Sequence, residues 1–206
     1  MKRMAIFGGT FNPIHNGHIY LIRAFADLLN TDRVFTVVTN VPPHKQHSDL
    51  AGNEQRLEMC RLAREDEPRI EPCDIELRRA GKSYTCDTLR ELQEQNPDAE
   101  LYFLMGADMF LTLKHWRNPE EIFRYATICA SPRDQRGVDE LRECAKQLHS
   151  MGARTIIEAM TPPEISSTEI RERVARGDSL EGLVPRAVEQ YILKNGLYRE
   201  RSGNEA

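Results

Sequence analysis

The chain has 206 residues, of which 40% are hydrophobic, and its 28 Lys and Arg residues are outnumbered by 32 Asp and Glu residues. No uninterrupted apolar run exceeds five residues, against the roughly 20 that a membrane-spanning helix needs, and the N-terminus lacks the apolar core of a signal peptide, so a cytoplasmic protein is expected. A net charge of −4 argues against a protein that coats nucleic acid, and five cysteines without a Cys-x-x-Cys pair suggest neither disulfides nor a zinc knuckle.

The first forty residues predict a β-α-β unit. Residues 3–7 are an apolar run that ends at Gly8-Gly9, which indicates a buried strand followed by a tight loop. Apolar residues then recur at helical spacing from Asn16, which is a plausible helix cap, and residues 34–39 are a second β-branched run. Because the crossover between such parallel strands is almost always right-handed, the pattern favours an open α/β sheet.

The alternation of strands and helices persists almost to the end of the chain. Strands are expected at 100–105, 127–130 and 154–158, an extended segment at 69–77, and helices at 53–65, 85–95, 139–150, from 166 to about 176, and 185–195. We therefore predict one Rossmann-like domain over residues 1–198, with a mostly parallel sheet and helices on both faces. Residues 165–198 are expected to form a small helical C-terminal part, and residues 199–206 a polar, frayed tail.

The segment from Gly8 to His18, with the sequence GGTFNPIHNGH, connects the first strand to the first helix. Paired glycines let the backbone approach a phosphate, and a helix N-terminus favours an anion. His15 and His18 are three residues apart, so both rings can reach the same side of the helix. The alternatives are a simple turn with structural histidines, and a metal site, for which no third ligand with recognisable spacing is present.

A second polar segment, from Ser166 to Glu169, precedes a helix near the C-terminus. It predicts a capping box, in which Ser166 is the cap and Glu169 occupies the third helical position. Hydroxyl and N–H groups at a helix start, with Arg171 in the first turns, also suit a polyphosphate. The two interpretations are compatible.

These two segments, GGTFNPIHNGH at 8–18 and ISSTEIR at 165–171, resemble the signatures of a nucleotidyltransferase superfamily that also contains class I aminoacyl-tRNA synthetases. Within it, VPPHK at 41–45, SYTCDTL at 83–89 and GAD at 106–108 are most similar to bacterial nicotinate mononucleotide adenylyltransferases. The resemblance covers nearly the whole chain, to about Tyr198. It implies transfer of AMP from ATP to nicotinate mononucleotide, giving deamido-NAD and pyrophosphate without a covalent enzyme intermediate.

The resemblance assigns the catalytic and ATP-binding residues. His15 and His18 are the catalytic candidates, which would contact the ATP phosphates, with His18 stabilising charge in the transition state. The residues expected to bind ATP are Gly8, Gly9, Thr10, Phe11, Lys45, Ser167, Thr168 and Arg171. Mg²⁺ is expected to accompany ATP, held mainly by phosphates and water, so no metal ligand is assigned.

The residues expected to bind nicotinate mononucleotide are Tyr84, Thr85, Gly106, Asp108 and Trp116. By the same resemblance, N–H groups at Tyr84-Thr85 would face the carboxylate from a helix N-terminus, Trp116 would stack on the pyridine ring, and Asp108 would bind ribose hydroxyls. From the residues alone, Trp116 is more simply a core aromatic residue, and Asp108 can be read as a charge at a helix N-terminus.

The chain departs from the family pattern at two places. Asn12 stands where the family often has Asp, so no catalytic charge is assigned to it, and Ser131-Pro132-Arg133-Asp134 replaces a frequent Arg-Pro-Gly turn. Other hypotheses are an adenylyltransferase for nicotinamide mononucleotide or phosphopantetheine, a non-catalytic nucleotide-sensing module, and a synthetase-like RNA-binding fragment. The intact histidine pair argues against the sensor, and the acidic charge balance argues against the RNA-binding fragment. A homo-oligomer is compatible with the sequence.

Overall fold

The computed structural model describes residues 2–31, 33–40, 50–132 and 135–199, except for the side chains of residues 135 and 136. Its sheet consists of β1 Lys2–Gly9, β2 Val34–Val38, β3 Ile70–Cys73, β4 Ala99–Gly106, β5 Ala126–Ser131 and β6 Arg154–Ile157. These strands lie in the order β3-β2-β1-β4-β5-β6, and every neighbouring pair is parallel. The predicted parallel sheet is confirmed, and its order is typical of dinucleotide-binding Rossmann folds.

The helices alternate with the strands as the hydrophobic pattern predicts. They are α1 Asn16–Leu29, α2 Asn53–Leu62, α3 Thr85–Gln95, α4 Ala107–Thr112, α5 Pro119–Tyr125, α6 Gln135–Ser150, α7 Ser167–Arg176 and α8 Arg186–Lys194. The prediction of an extended segment over 69–77 is wrong beyond β3. The chain turns there because the carbonyl of Asp74 accepts hydrogen bonds from the N–H groups of Leu77 (2.8 Å) and Arg78 (3.1 Å).

Helices cover both faces of the sheet because alternate strand residues point to opposite sides. Met4 and Ile6 of β1 belong to a core shared with α3, α4, α5 and α6. Ala5 and Phe7 belong to the core on the other face, with α1, α2, α7 and α8. The C-terminal helices therefore pack on the same face as α1, which carries the first motif. No helix in the described ranges is long and apolar enough to cross a membrane.

The two halves of the sheet meet between β1 and β4, where the strand order reverses. In open parallel sheets, ligands bind in the crevice at the carboxyl ends of the strands at such a point. Strand β1 ends in the glycine pair, and β4 ends at Gly106. The fold thus brings the motif at 8–18 and the motif at 106–108 to one edge of the sheet.

Candidate active site

The two histidines cap helix α1 reciprocally. The backbone N–H of His18 donates to Nδ1 of His15 (3.4 Å), and the backbone N–H of His15 donates to Nδ1 of His18 (3.3 Å). The expectation that Asn16 caps the helix is wrong, because the cap is His15, whose ring nitrogen does the work of a cap oxygen. Since both Nδ1 atoms accept, each neutral ring carries its proton on Nε2.

Burial keeps both imidazoles uncharged near neutral pH. It lowers the pKa of His15 to about 4. Burial, and secondly repulsion from His15, lowers the pKa of His18 well below its ordinary value. The two rings stack with centroids 3.6 Å apart, and the His18 ring makes T-shaped contacts with Phe7 and Phe11, at centroid distances of 5.8 and 5.3 Å. The pair thus offers N–H donors in an apolar setting.

Packing leaves little room for a side chain at two glycines of the first motif. A Cβ at Gly9 would lie 3.0 Å from the Phe11 ring, and Phe11 itself adopts a φ of 48°. A Cβ at Gly17 would lie 3.1 Å from the His15 ring. At Gly8, by contrast, a Cβ would make an ordinary contact with Phe103 at 3.6 Å, so packing does not demand a glycine there.

The C-terminal motif lies directly on the first motif. The Ser167 hydroxyl donates to the carbonyl of Pro13 (3.0 Å). Arg171 donates through Nη1 to the carbonyl of Asn12 (3.0 Å) and through Nη2 to the hydroxyl of Thr168 (3.3 Å). The Nε atom of Arg171 is buried and has no hydrogen-bond partner among the described residues. The fold therefore joins the N-termini of α1 and α7, as two motifs of one site require.

Only the Ser166 half of the capping box predicted for helix α7 is confirmed, because the Glu169 carboxylate instead accepts a hydrogen bond from Nε of Arg173 (3.1 Å). The Ser166 hydroxyl accepts a hydrogen bond from the backbone N–H of Glu169 at 3.1 Å. Because Ser166 serves the helix and the Ser167 hydroxyl is bonded to Pro13, this helix start offers a phosphate mainly its backbone N–H groups.

The residues expected to bind the acceptor surround the start of α3 and the end of β4. Tyr84 immediately precedes α3, whose first N–H groups have no acceptor within the helix. The guanidinium of Arg117 lies 4.3 Å from the centre of the Tyr84 ring. Trp116 is half-buried and makes a T-shaped contact with Phe103, at a centroid distance of 6.4 Å. Its indole N–H donates to the Thr112 hydroxyl (3.3 Å). Thus Trp116 packs against the core without being fully buried in it.

Comparison with known proteins identifies the family of this chain. Residues 6–173 match the family model described as cytidylyltransferase-like. A curated protein of Lachnoclostridium phytofermentans, described as a probable nicotinate-nucleotide adenylyltransferase, is 36% identical over 200 residues, which cover 96% of this chain and 100% of the relative. The chain belongs to the nicotinate-nucleotide adenylyltransferase family. A relative from Shouchella clausii with the same description is 38% identical over 202 residues, which cover 98% of this chain and 100% of that one.

Solved structures share the fold of this nicotinate-nucleotide adenylyltransferase family member. The nicotinic acid mononucleotide adenylyltransferase of Plasmodium falciparum, in a complex with NaAD, superposes with a TM-score of 0.77 at 20% sequence identity. The match covers 96% of this chain and 98% of the Plasmodium chain. At this identity the similarity establishes the Rossmann-like architecture, whereas the family assignment rests on the sequence relatives.

Several predicted site residues lie on the described framework, and some lie beyond it. Gly106 ends β4, and apart from its chain neighbours no described residue lies within 4 Å of the place that a Cβ there would occupy. Asp108 is exposed in the first turn of α4, and Thr85 is the first residue of α3. Lys45 lies outside the described residues, as do Arg133 and Asp134 of the departing loop. In the described ranges, no group of three or more His, Cys, Asp or Glu is arranged to hold a metal ion.

The structure explains how this family member accommodates Asn12 in place of the frequent Asp. The side-chain oxygen of Asn12 accepts hydrogen bonds from the backbone N–H of Ala51 (3.0 Å) and from the hydroxyl of Tyr198 (2.8 Å). An amide oxygen can accept both bonds without a charge. The residue therefore connects the first motif to the segment that precedes α2 and to the C-terminal end of the domain.

Sequence reasoning missed two residues that hold the loop of the first motif, Arg56 and Tyr198. Arg56 is fully buried, and its Nη1 donates to the carbonyl of Thr10 at 2.7 Å. The periodicity of α2 predicts Leu57, Cys60 and Leu62 as its inward residues and contains no signal for a buried guanidinium beside them. Tyr198 marked only the end of the family resemblance, so its bond to Asn12 was not foreseen.

Proposed function

We propose that the protein transfers AMP from ATP to nicotinate mononucleotide, forming deamido-NAD and pyrophosphate. The observation that carries this proposal is the direct contact between the two motifs, through Ser167 on Pro13 and Arg171 on Asn12. This contact brings two helix N-termini, two neutral imidazoles and a guanidinium to one place. Such a set of donors suits the triphosphate of a nucleotide, and the sequence relatives over the full length are described as enzymes of this reaction.

The reaction needs no nucleophile from the protein. An oxygen of the acceptor's phosphate forms a bond to the α-phosphorus of ATP as the bond from that phosphorus to the bridging oxygen breaks, and pyrophosphate leaves. The protein contributes orientation of the two phosphates and stabilisation of the charge that moves to the leaving group. His15 and His18 suit this task because their Nε2–H groups can donate to phosphate oxygens whose negative charge increases in the transition state.

The ATP side of the site would be built from backbone groups and cations. Residues 8–11 would form the backbone cradle, the N-terminus of α7 at Ser167 and Thr168 would receive phosphate oxygens, and Arg171 would neutralise charge, together with Lys45. The side chains assigned here are imidazoles, hydroxyls and cations. A Mg²⁺ ion that accompanies ATP would therefore take its ligands from the phosphates and water and add further neutralisation.

The acceptor side would distinguish nicotinate from nicotinamide by charge. The N–H groups of Tyr84, which precedes α3, and of Thr85, its first residue, lie at the positive end of that helix, which favours a carboxylate. Arg117, stacked on Tyr84, adds positive charge to the same place. A neutral amide would leave some of these donors facing its own NH₂ group, which costs about 1–3 kcal/mol in a buried contact. Trp116 would stack on the pyridine ring of either acceptor, and Gly106 and Asp108 would approach its ribose.

The test is pyrophosphate release from ATP, measured separately with nicotinate mononucleotide, nicotinamide mononucleotide and phosphopantetheine. We expect kcat/KM to be at least about 10²-fold higher for the nicotinate compound than for its amide, because the amide leaves buried donors unpaired. Phosphopantetheine should give no release above the reaction without acceptor. Equal kcat/KM for acid and amide would refute the carboxylate site, and the absence of release with all three would refute adenylyl transfer.

A further inference from the structure

Arg56 lies directly beneath the loop that is assigned to the ATP phosphates. Arg56 belongs to the first half of α2, and its side chain is fully buried. Nη1 donates to the carbonyl of Thr10 (2.7 Å), Nη2 to the carbonyl of Thr39 (2.8 Å), and Nε to the carbonyl of Ala51 (3.1 Å). One guanidinium therefore connects the ends of β1 and β2 with the segment that begins α2.

Every acceptor of Arg56 in the described structure is an uncharged amide oxygen. The remaining two are the side-chain oxygen of Asn53 (2.6 Å) and the carbonyl of Asn40 (3.4 Å). Two ionisable groups interact with the guanidinium electrostatically, but both stay neutral, because burial raises the pKa of Cys60 to about 12 and raises that of Tyr198 above its ordinary value. The positive charge has no counter-charge among the described residues, which is costly for a buried guanidinium and unusual.

These bonds also determine which way the peptide groups of the loop point. The carbonyl of Thr10 points down to Arg56, so the N–H of Phe11, on the opposite side of the same trans peptide, points outward. The carbonyl of Gly9 accepts from the N–H (3.0 Å) and the hydroxyl (3.1 Å) of Thr39, whose own carbonyl is held by Arg56. The N–H of Thr10 belongs to the same trans peptide as the Gly9 carbonyl, so it points away from β2. Consecutive N–H groups that point out of a loop make a site for anions.

We propose that Arg56 is a positioning residue for adenylyl transfer: it turns the N–H groups of the loop toward ATP, and its unpaired charge is neutralised by the bound polyphosphate. This inference rests on the proposed function, because it takes ATP as the ligand of the loop. It adds an assignment, since Arg56 stands outside both motifs and acts through Thr10 and Thr39 without touching substrate.

The experiment compares Arg56→Met, which removes the charge and all donors, with Arg56→Lys, which keeps the charge but cannot reach the same set of acceptors. Arg69→Met is the matched control. Arg69 is partly buried and is paired with Glu67 at 2.7 Å. It immediately precedes β3, so it lies at the amino-terminal ends of the strands, whereas Arg56 lies at their carboxyl ends. Each protein is measured for kcat, for KM of ATP and of nicotinate mononucleotide, for the dissociation constant of α,β-methylene-ATP by calorimetry, and for its melting temperature.

For Arg56→Met we expect KM for ATP and the dissociation constant of the analogue to rise about tenfold or more, while KM for the acceptor changes less than about threefold. Arg56→Lys should be intermediate, and Arg69→Met should leave all three constants unchanged at a lowered melting temperature. A merely structural Arg56 would lower the melting temperature and the active fraction without moving these constants, and that result would overturn the proposal. If Arg56→Met does not fold, the proposal is overturned when Arg56→Lys has the same KM for ATP and the same dissociation constant for the analogue as the unmodified protein.

The two proposals fail in different ways. If the unmodified protein binds the analogue but releases no pyrophosphate with any acceptor, the proposed function fails, and the affinity ratio between unmodified protein and variants still decides the assignment of Arg56. If the unmodified protein does not bind the analogue, the loop is not an ATP site and the assignment of Arg56 is overturned as well.

Discussion

Two sides of the proposed site differ in how their groups are held: the phosphate side, at residues 8–18 and the start of α7, and the acceptor side, around the start of α3 and the end of β4. On the phosphate side, three loop carbonyls receive hydrogen bonds from distant side chains: Thr10 from Arg56 at 2.7 Å, Asn12 from Arg171 at 3.0 Å, and Pro13 from Ser167 at 3.0 Å. On the acceptor side, Asp108 and Arg117 are exposed, and Met109 is 51% exposed. The indole N–H of Trp116 donates a long hydrogen bond to the Thr112 hydroxyl at 3.3 Å.

This difference follows from what each side has to do. Donors that stabilise developing charge work best when they are already oriented, because the reaction then has no reorganisation to drive. A surface that admits and releases a nucleotide must instead remain accessible, and its aromatic ring needs only to lie near the place that the substrate ring will occupy. We therefore expect changes on the phosphate side to affect the chemical step and the stability of the fold, and changes on the acceptor side to affect acceptor binding.

The largest effect is expected for His18→Ala. Loss of the imidazole N–H donor at the phosphate site should lower kcat by about 10² or more, while the far-ultraviolet circular dichroism spectrum stays unchanged. His15→Ala should also lower activity, with an added loss of stability because His15 caps α1. The control is His149→Ala, at the exposed end of α6. Near-normal turnover of a folded His18 variant would remove the main distinction between the two sides.

The second effect is on stability and comes from the buried imidazoles. Because the folded pKa of His15 is about 4, against 6.5 unfolded, the unfolded chain binds more protons between these values, and stability falls as pH falls below 6.5. His15 alone should remove about 2 kcal/mol of unfolding free energy between pH 7.5 and 5. Glu67, whose pKa is lowered to about 2 chiefly by its bond to Arg69, loses its contribution only below 4.5.

Urea unfolding at pH 7.5, 6 and 5 measures this effect. The informative variant is His15→Asn, because asparagine can cap a helix and does not titrate. Its stability should decline less with falling pH than that of the unmodified protein, whereas His149→Asn, an exposed site, should not alter the decline. Identical pH dependence in His15→Asn and the unmodified protein would mean that the His15 ring is not held neutral by burial.

A smaller effect is expected on the acceptor side, for Trp116→Ala. Loss of ring stacking should raise KM about tenfold for nicotinate mononucleotide and similarly for its amide, because stacking does not distinguish a carboxylate from an amide. KM for ATP should be unchanged. Trp116→Phe should recover most of the affinity. A selective loss of ATP binding in Trp116→Ala would contradict the division of the site into two sides.

The smallest effect is expected at the periphery of the phosphate side, for Tyr198→Phe. The substitution removes the hydroxyl bonded to Asn12 and should lower the free energy of unfolding by about 1 kcal/mol. Asn12 keeps the bond from Ala51, so kcat should change little. Tyr20→Phe, at a 38% exposed position, serves as the control in the same urea titration. A large loss of kcat in Tyr198→Phe would show that the C-terminal end affects the chemistry itself.

Much of the fold and part of the site could be predicted because local patterns carry them. The apolar runs and helical periodicities placed the strands of the parallel sheet, and the Ser166 cap of α7 was read directly from its neighbours. The boundaries were less predictable where a turn competes with an extended chain, as after β3. The cap of α1 was misplaced because a histidine that caps through Nδ1 has no distinctive sequence pattern.

Local sequence accounts for the order of elements, the glycine pair after β1, and the two motifs that start α1 and α7, since each depends on interactions between residues a few positions apart. Packing of the whole chain was needed to show that Ser167 and Arg171 hold the loop at Asn12 and Pro13, and that Arg56 lies charged and fully buried beneath Thr10. A hydrogen bond between residues 46 positions apart, or 159, leaves no periodicity in the chain. It exists because packing on the sheet brings those groups within reach of one another.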